Sequence, residues 1–211
     1  MSTDSGYKTQ ILKDFIPADI LDLLKTHIRN VYSSLSEKDL VHAPHGYYYP
    51  AGEEVHNIVN KVLPLMPNEV CSSVNMLVHT KPTGPHTDTN LSDTDFISDP
   101  NHFARTFIIP LETQPTHTIT FEQVMPLGTL GNDMPEFIDS LPNLNALSQS
   151  EIDRYFHSFA RPYWTSKLSI ETVFPWIAGD VLVFDRHRVH TGDDHLGQVD
   201  KQGLVIWTTL S

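Results

Sequence analysis

"GDVLVFDRHRVHTGDD", residues 179 to 194, carries the reading that decides the fold. Gly179-Asp180 is a turn signal, and Val181 to Phe184 is an unbroken apolar run of strand length. The chain then presents His187 and His190, and Thr191-Gly192 turns it away before His195. Similar runs recur along the chain: "SSVNMLVHT" (72–80), "ARTFIIPLE" (104–112), "HTITFEQV" (117–124) and "GLVIWTTL" (203–210). Short β-branched segments bounded by Gly, Pro and Asp argue for an antiparallel sandwich or barrel of the jelly-roll type, not for βαβ units.

Helical patterns flank these strands. Residues 17–35 place Ile20, Leu24, Ile28, Val31 and Leu35 at helical spacing behind Pro17. Residues 53–63 repeat the pattern with Val55, Ile58, Val59 and Val62, and Pro64 stops it. Between them "HAPHGYYYPAG" (42–52) reads as a loop. An insert over 125–172 interrupts the strands, with Ser148 and Glu151 as a capping box ahead of Ile152, Tyr155, Phe156 and Phe159. It reads as a helical excursion packed on the barrel, or more sharply as a lid bordering a pocket. The expectation is one domain over 1–211: an N-terminal helical flank (1–70), strands over 72–124 and 173–210, and the insert.

The 211 residues suffice for a sizeable core. Lys and Arg total 14 against 26 Asp and Glu, a net charge of -12 that repels phosphate backbones and argues against a nucleic-acid partner. Cys71 is the only cysteine, which rules out an internal disulfide and thiolate-based zinc sites. The N-terminus "MSTDSGYKTQ" has no apolar signal region and no apolar run approaches a membrane span. No membrane association and a cytoplasmic location are therefore expected.

"GPHTDTN" (84–90) places His86 and Asp88 two residues apart. On an extended segment both side chains project to the same side, toward one ion, and Thr87 projects away. A third ligand must come from another strand. His190 is the first choice; His187 is the second, because Arg186 and Arg188 would set cations beside a cation. Two His and one carboxylate fill one face of an octahedral ion and leave the opposite face open, the arrangement of non-haem Fe(II) oxygenases, although zinc accepts the same donors. His42, His45, His79 and His117 read as surface or hydrogen-bonded histidines, Trp207 as a core residue, and Tyr47 to Tyr49 as an aromatic cluster packed on a helix or lining a pocket mouth.

The succession of "HTD", "RTFIIPLE", "HTITFEQ", "GDVLVFDRHRVHTG" and "KQGLVIWT" resembles the Fe(II)/2-oxoglutarate-dependent dioxygenases, in particular the phytanoyl-CoA hydroxylase-like and prolyl-hydroxylase-like branches. The likeness covers roughly 72–124 and 173–210. It implies a double-stranded β-helix (cupin-like jelly roll), with Fe(II) on His86, Asp88 and His190 and 2-oxoglutarate as co-substrate. It further implies a basic anchor for the far carboxylate of 2-oxoglutarate. Lys201, eleven residues after His190, is preferred over Arg105. Asn75 and Thr106 are candidate co-substrate donors. The resemblance also implies O2 and a small-molecule or peptide substrate, and a carboxylate at 88 favours hydroxylation over halogenation. Two other readings stay open: a cupin-like isomerase or dioxygenase without 2-oxoglutarate, and a non-catalytic ligand-binding jelly roll.

Overall fold

A computed structural model describes residues 8–43, 45–89, 103–126, 134–143, 147–195 and 200–211. Two antiparallel sheets form its frame. The larger is built from β1 (Gln10–Leu12), β8 (Val181–Asp185), β5 (Phe103–Pro110), β10 (Lys201–Leu210), β4 (Glu69–His79), β3 (Gly46–Pro50) and β2 (Val41–Ala43), in that spatial order. The smaller has the order β7 (Ile170–Pro175), β6 (His117–Val124), β9 (Arg188–Gly192). Strands in the expected jelly-roll arrangement thus form the body of the molecule.

Strand β10 is the spine of the larger sheet, pairing with β4 on one side and β5 on the other. Its register fixes what faces the interior. Lys201 lies opposite His79, Gly203 opposite Leu77 and Pro110, Val205 opposite Asn75 and Ile108, and Trp207 opposite Ser73 and Thr106. Alternate residues share a face, so these pairs form successive rungs of one inner wall. Gly203 is required on it: a Cβ there would come within 2.9 Å of the Trp176 ring and of the Ile109 carbonyl oxygen.

Each sheet is backed by its own apolar layer. Helices α1 (Ala18–Ser34) and α2 (Glu53–Val62) cover the larger sheet, with Leu24, Val55 and Val59 packed against Val74, Met76, Phe107 and Ile206. The insert covers the smaller sheet. Its elements are α3 (Met134–Ser140), α4 (Gln149–Glu151), a π-helical turn (Ile152–Phe156) and α5 (Pro162–Thr165). The capping box at Ser148 and Glu151 forms as expected. Phe156 and Trp164, 5.3 Å apart, seat on Phe121 beside Ile119 and Val189. Each buried aromatic of this kind contributes about 2–3 kcal/mol.

The described part of the insert packs behind the smaller sheet, and none of those residues lines the interior cavity. One sequence expectation changes here. The segment 42–52 is not a loop but contributes β2 and β3, because alternating tyrosines suit a half-buried strand paired with β4. Gly46 lets this edge approach closely, since a Cβ there would meet the Val78 carbonyl oxygen at 2.0 Å. Tyr49 faces α1, 5.7 Å from Tyr32, while Tyr48 faces the interior. The last strand begins at Lys201, two residues ahead of its apolar run. Among the described residues no helix is long and apolar enough to cross a membrane.

Candidate metal centre and its cavity

The segment carrying His86 extends the smaller sheet by one bridge. His86 N–H donates to the His190 carbonyl and His190 N–H donates back to the His86 carbonyl, both at 2.9 Å. This reciprocal pairing sets the two side chains opposite each other, with ring centroids 4.2 Å apart. Two residues on, Asp88 N–H donates to the Arg186 carbonyl at 3.0 Å. The Arg186 guanidinium returns the contact, donating from Nε and Nη2 to the Asp88 carbonyl at 3.0 and 2.7 Å. Arg186 is fully buried and its charge is directed at that backbone oxygen, so the cation feared beside the metal site instead ties its two halves together.

Local hydrogen bonds settle which atoms face the centre. His86 Nδ1 lies 2.8 Å from the Gly84 carbonyl and His190 Nδ1 lies 3.1 Å from the Arg188 carbonyl. Carbonyls only accept, so each Nδ1 carries the proton and each Nε2 lone pair is left for an ion. Thr106 Oγ1 donates to Asp88 Oδ2 at 2.6 Å, which orients the carboxylate. One ligand atom from each of His86, Asp88 and His190 then lies within 4.8 Å of the others. Burial, and then His190, lower the His86 imidazole to about 4. Burial alone would raise the Asp88 carboxyl, but His190, His86, the Thr106 hydroxyl and Arg186 outweigh it and hold the group below its ordinary value. A neutral imidazole and an ionised carboxylate are the forms that bind a metal, and two nitrogens with one oxygen suit Fe(II).

The triad opens into a cavity of about 680 Å³ between the sheets. Lys201 enters it from the first rung of the wall, only 2% exposed. Its Nζ donates to the His117 carbonyl at 2.5 Å and to Thr118 Oγ1 at 3.2 Å, and sits 4.5 Å from the Trp176 ring centroid. An ammonium has three N–H groups, so one remains. Among the described residues no carboxylate lies within salt-bridge distance of Nζ, and burial lowers its pKa to about 7 against a partial upward pull from Asp193. Thr118 Oγ1 also accepts from Trp176 Nε1 at 2.9 Å. Its own proton is thus available to an acceptor in the cavity.

The structure distributes the other candidate residues as follows. Arg105 does not line the cavity: its guanidinium is paired with Glu69 and donates to the Pro64 carbonyl at 2.9 Å. Thr106 is committed to Asp88. Asn75 lines the cavity, with its Nδ2 donating to Ser73 Oγ at 2.5 Å. His187, the second choice of ligand, is turned away beside Asp185, its Nδ1 3.3 Å from Oδ1. Sequence reasoning missed Arg186, Thr118 and Trp176. It also passed over His45 and His79, which line the cavity, and placed Trp207 in the core although it forms part of the cavity wall. Cross-strand register, not any local pattern, brings these residues together.

No family model matches the sequence, and no curated protein matches it. Solved structures do match. The non-haem alpha-ketoglutarate-dependent carbocyclase SnoK from nogalamycin biosynthesis superposes with a TM-score of 0.60 at 14% identity, over 96% of this chain and 80% of that one. A Pseudomonas putida prolyl-4-hydroxylase gives 0.52 at 13% identity, over 98% and 95%. EctD from S. alaskensis, solved with 2-oxoglutarate and 5-hydroxyectoine, gives 0.53 at 11%, over 96% and 72%. Identities this low establish architecture. By fold, the chain is a double-stranded β-helix of the kind found in the Fe(II)/2-oxoglutarate-dependent oxygenases.

Proposed function

We propose that this protein is a non-haem Fe(II)- and 2-oxoglutarate-dependent oxygenase that hydroxylates a small molecule or an amino-acid or peptide side chain. The observation that carries the reading is the convergence of His86, Asp88 and His190, with both Nε2 lone pairs freed, in one cavity with a buried lysine that has no carboxylate partner among the described residues. When bound, Fe(II) supplies the activation of O2, with electrons from 2-oxoglutarate, which leaves as succinate and CO2.

The chain's own residues do the rest. His86 and His190 are held in the ligating tautomer by backbone carbonyls. Asp88 contributes charge and is kept from rotating by Thr106. Lys201, with its one remaining N–H, and the Thr118 hydroxyl are the donors for the far carboxylate of the co-substrate. Trp176 closes the space beneath that lysine and keeps water from it. Asn75 lines the same cavity and is a further polar contact for co-substrate or substrate. The location proposed is the cytoplasm, whose reducing conditions suit both Fe(II) and the single buried Cys71.

A cupin-like enzyme working without 2-oxoglutarate has no use for a desolvated lysine facing the metal, which is why that reading ranks second. Anaerobic addition of Fe(II) and 2-oxoglutarate tests the proposal. A weak visible charge-transfer band that appears only with both, followed by slow succinate formation in air, is the expected result. Absence of the band in folded, Fe(II)-loaded protein overturns it.

A further inference from the structure

We propose that His45 and His79 recognise an anionic head group on the substrate, so that the enzyme acts on a small organic acid with an apolar body. The inference rests on the oxygenase reading above and extends it to the substrate class.

The two imidazoles stand on the cavity wall next to the triad. His79 ends β4, and His45 sits in the turn before β3, its ring centroid 6.4 Å from that of His79. Thr80 and Lys81 N–H groups donate to the His45 carbonyl at 2.9 and 3.1 Å, which fixes the turn against β4. The His45 ring lines the cavity beside it. His79 has no side-chain hydrogen bond among the described residues and is half-buried. Neither ring is a metal ligand, since neither lies in the donor cluster.

The charge around them points one way. Asp88 is the only carboxylate among the described lining residues, and its oxygens belong to the metal centre and Thr106. Opposing it are the Lys201 ammonium and two imidazoles that offer N–H groups without charge, in a protein whose net charge is -12. An acidic chain that clears acidic side chains from one cavity has made that cavity selective for anions. The co-substrate accounts for one anion, at Lys201. The imidazole pair is left for a second, with an N–H for each oxygen of a carboxylate. Burial and the nearby Lys201 and His86 keep His79 well below its usual pKa, so it meets an anion as a neutral donor whose bond strengthens once charge arrives. Tyr48 and Leu77, opposite each other in register, and Trp207 form the apolar surface beside the pair. That surface fits a hydrocarbon body.

The test uses the zinc-substituted enzyme saturated with 2-oxoglutarate, followed by nitrogen-15 NMR of the histidine rings. The probes are matched pairs: hydrocinnamate against hydrocinnamide, and hexanoate against hexanamide. The acids are expected to shift the His45 and His79 ring nitrogens with 2-oxoglutarate still bound, and the amides to bind about tenfold more weakly. His79→Gln and His45→Gln are expected to weaken acid binding about tenfold while leaving 2-oxoglutarate affinity within twofold. Equal binding of acid and amide, no binding by either acid, or displacement of 2-oxoglutarate by the acids overturns the proposal. Failure of the oxygenase reading shows separately, as a missing Fe(II)/2-oxoglutarate band in the wild-type protein.

Discussion

Lys201 and Arg105 are buried cations on adjacent strands of one sheet, yet their surroundings are opposite in kind. Arg105 is clamped by Glu69, whose carboxyl is also bound by Thr208 Oγ1 at 2.5 Å. Burial would raise that carboxyl, but Arg105, the Met66 N–H and Thr208 outweigh it and hold Glu69 below its usual value. Lys201 has carbonyl and hydroxyl contacts but no such anion among the described residues. A buried charge with an internal counter-ion is part of the scaffold; one without it is stabilised only when an external anion arrives. On the proposed function, the difference separates a structural cation from a binding one between residues that composition treats as equivalent.

The contrast is meaningful only if the metal end works, so the largest effect is expected there. Asp88→Ala should abolish both the charge-transfer band and succinate formation, with the circular dichroism of the folded protein retained; a residual band would detach the triad from the chemistry. Next in size, Arg105→Ala leaves the Glu69 carboxylate buried and alone. It should cost about 3 kcal/mol, lowering Tm by roughly 6–12 °C in a chain of this size, with the Kd for 2-oxoglutarate within twofold of wild type. Lys201→Met should do the reverse: unchanged or slightly higher Tm, and a Kd for 2-oxoglutarate raised about ten- to hundredfold in calorimetric titration. If the two variants exchange these phenotypes, the assignment of the anchor is wrong.

Acidity sharpens the same contrast. Lys201 in the free protein titrates near 7, and only its charged form attracts a carboxylate. As pH rises above that value the charged fraction falls, so the Kd for 2-oxoglutarate should be flat below it and increase by about tenfold per pH unit above it. In Lys201→Met the slope should vanish. The smallest effect is expected from Thr118→Val, which removes one hydroxyl donor and keeps shape; a Kd about fivefold higher is anticipated, with no change in its pH profile.

Much of this was legible in the sequence, for identifiable reasons. Strand runs such as Val181 to Phe184 announce themselves through apolar content and short length, and the two N-terminal helices through their period. His86 and Asp88 were found because a spacing of two has one geometric meaning on an extended chain. His190 could be ranked above His187 but no further, since both follow the same strand; the reciprocal backbone pairing sets His190, not His187, opposite His86. What stayed hidden depended on register. Nothing local to Thr118, Trp176 or Gly203 says that they meet beneath Lys201, and nothing near His79 says that it lies opposite that lysine. The tyrosine segment was read as a loop, but it is a strand, whose alternation sends Tyr49 to α1 and Tyr48 to the cavity, so both roles expected of the cluster occur.

The clamp between Arg186 and the Asp88 carbonyl has a consequence for ion uptake under the proposed function. Because the segments bearing the three ligands are fastened before any ion arrives, uptake requires little ordering of the chain. On the proposed function, removal of the ion by oxidation or by a chelator would leave these backbone and guanidinium contacts in place.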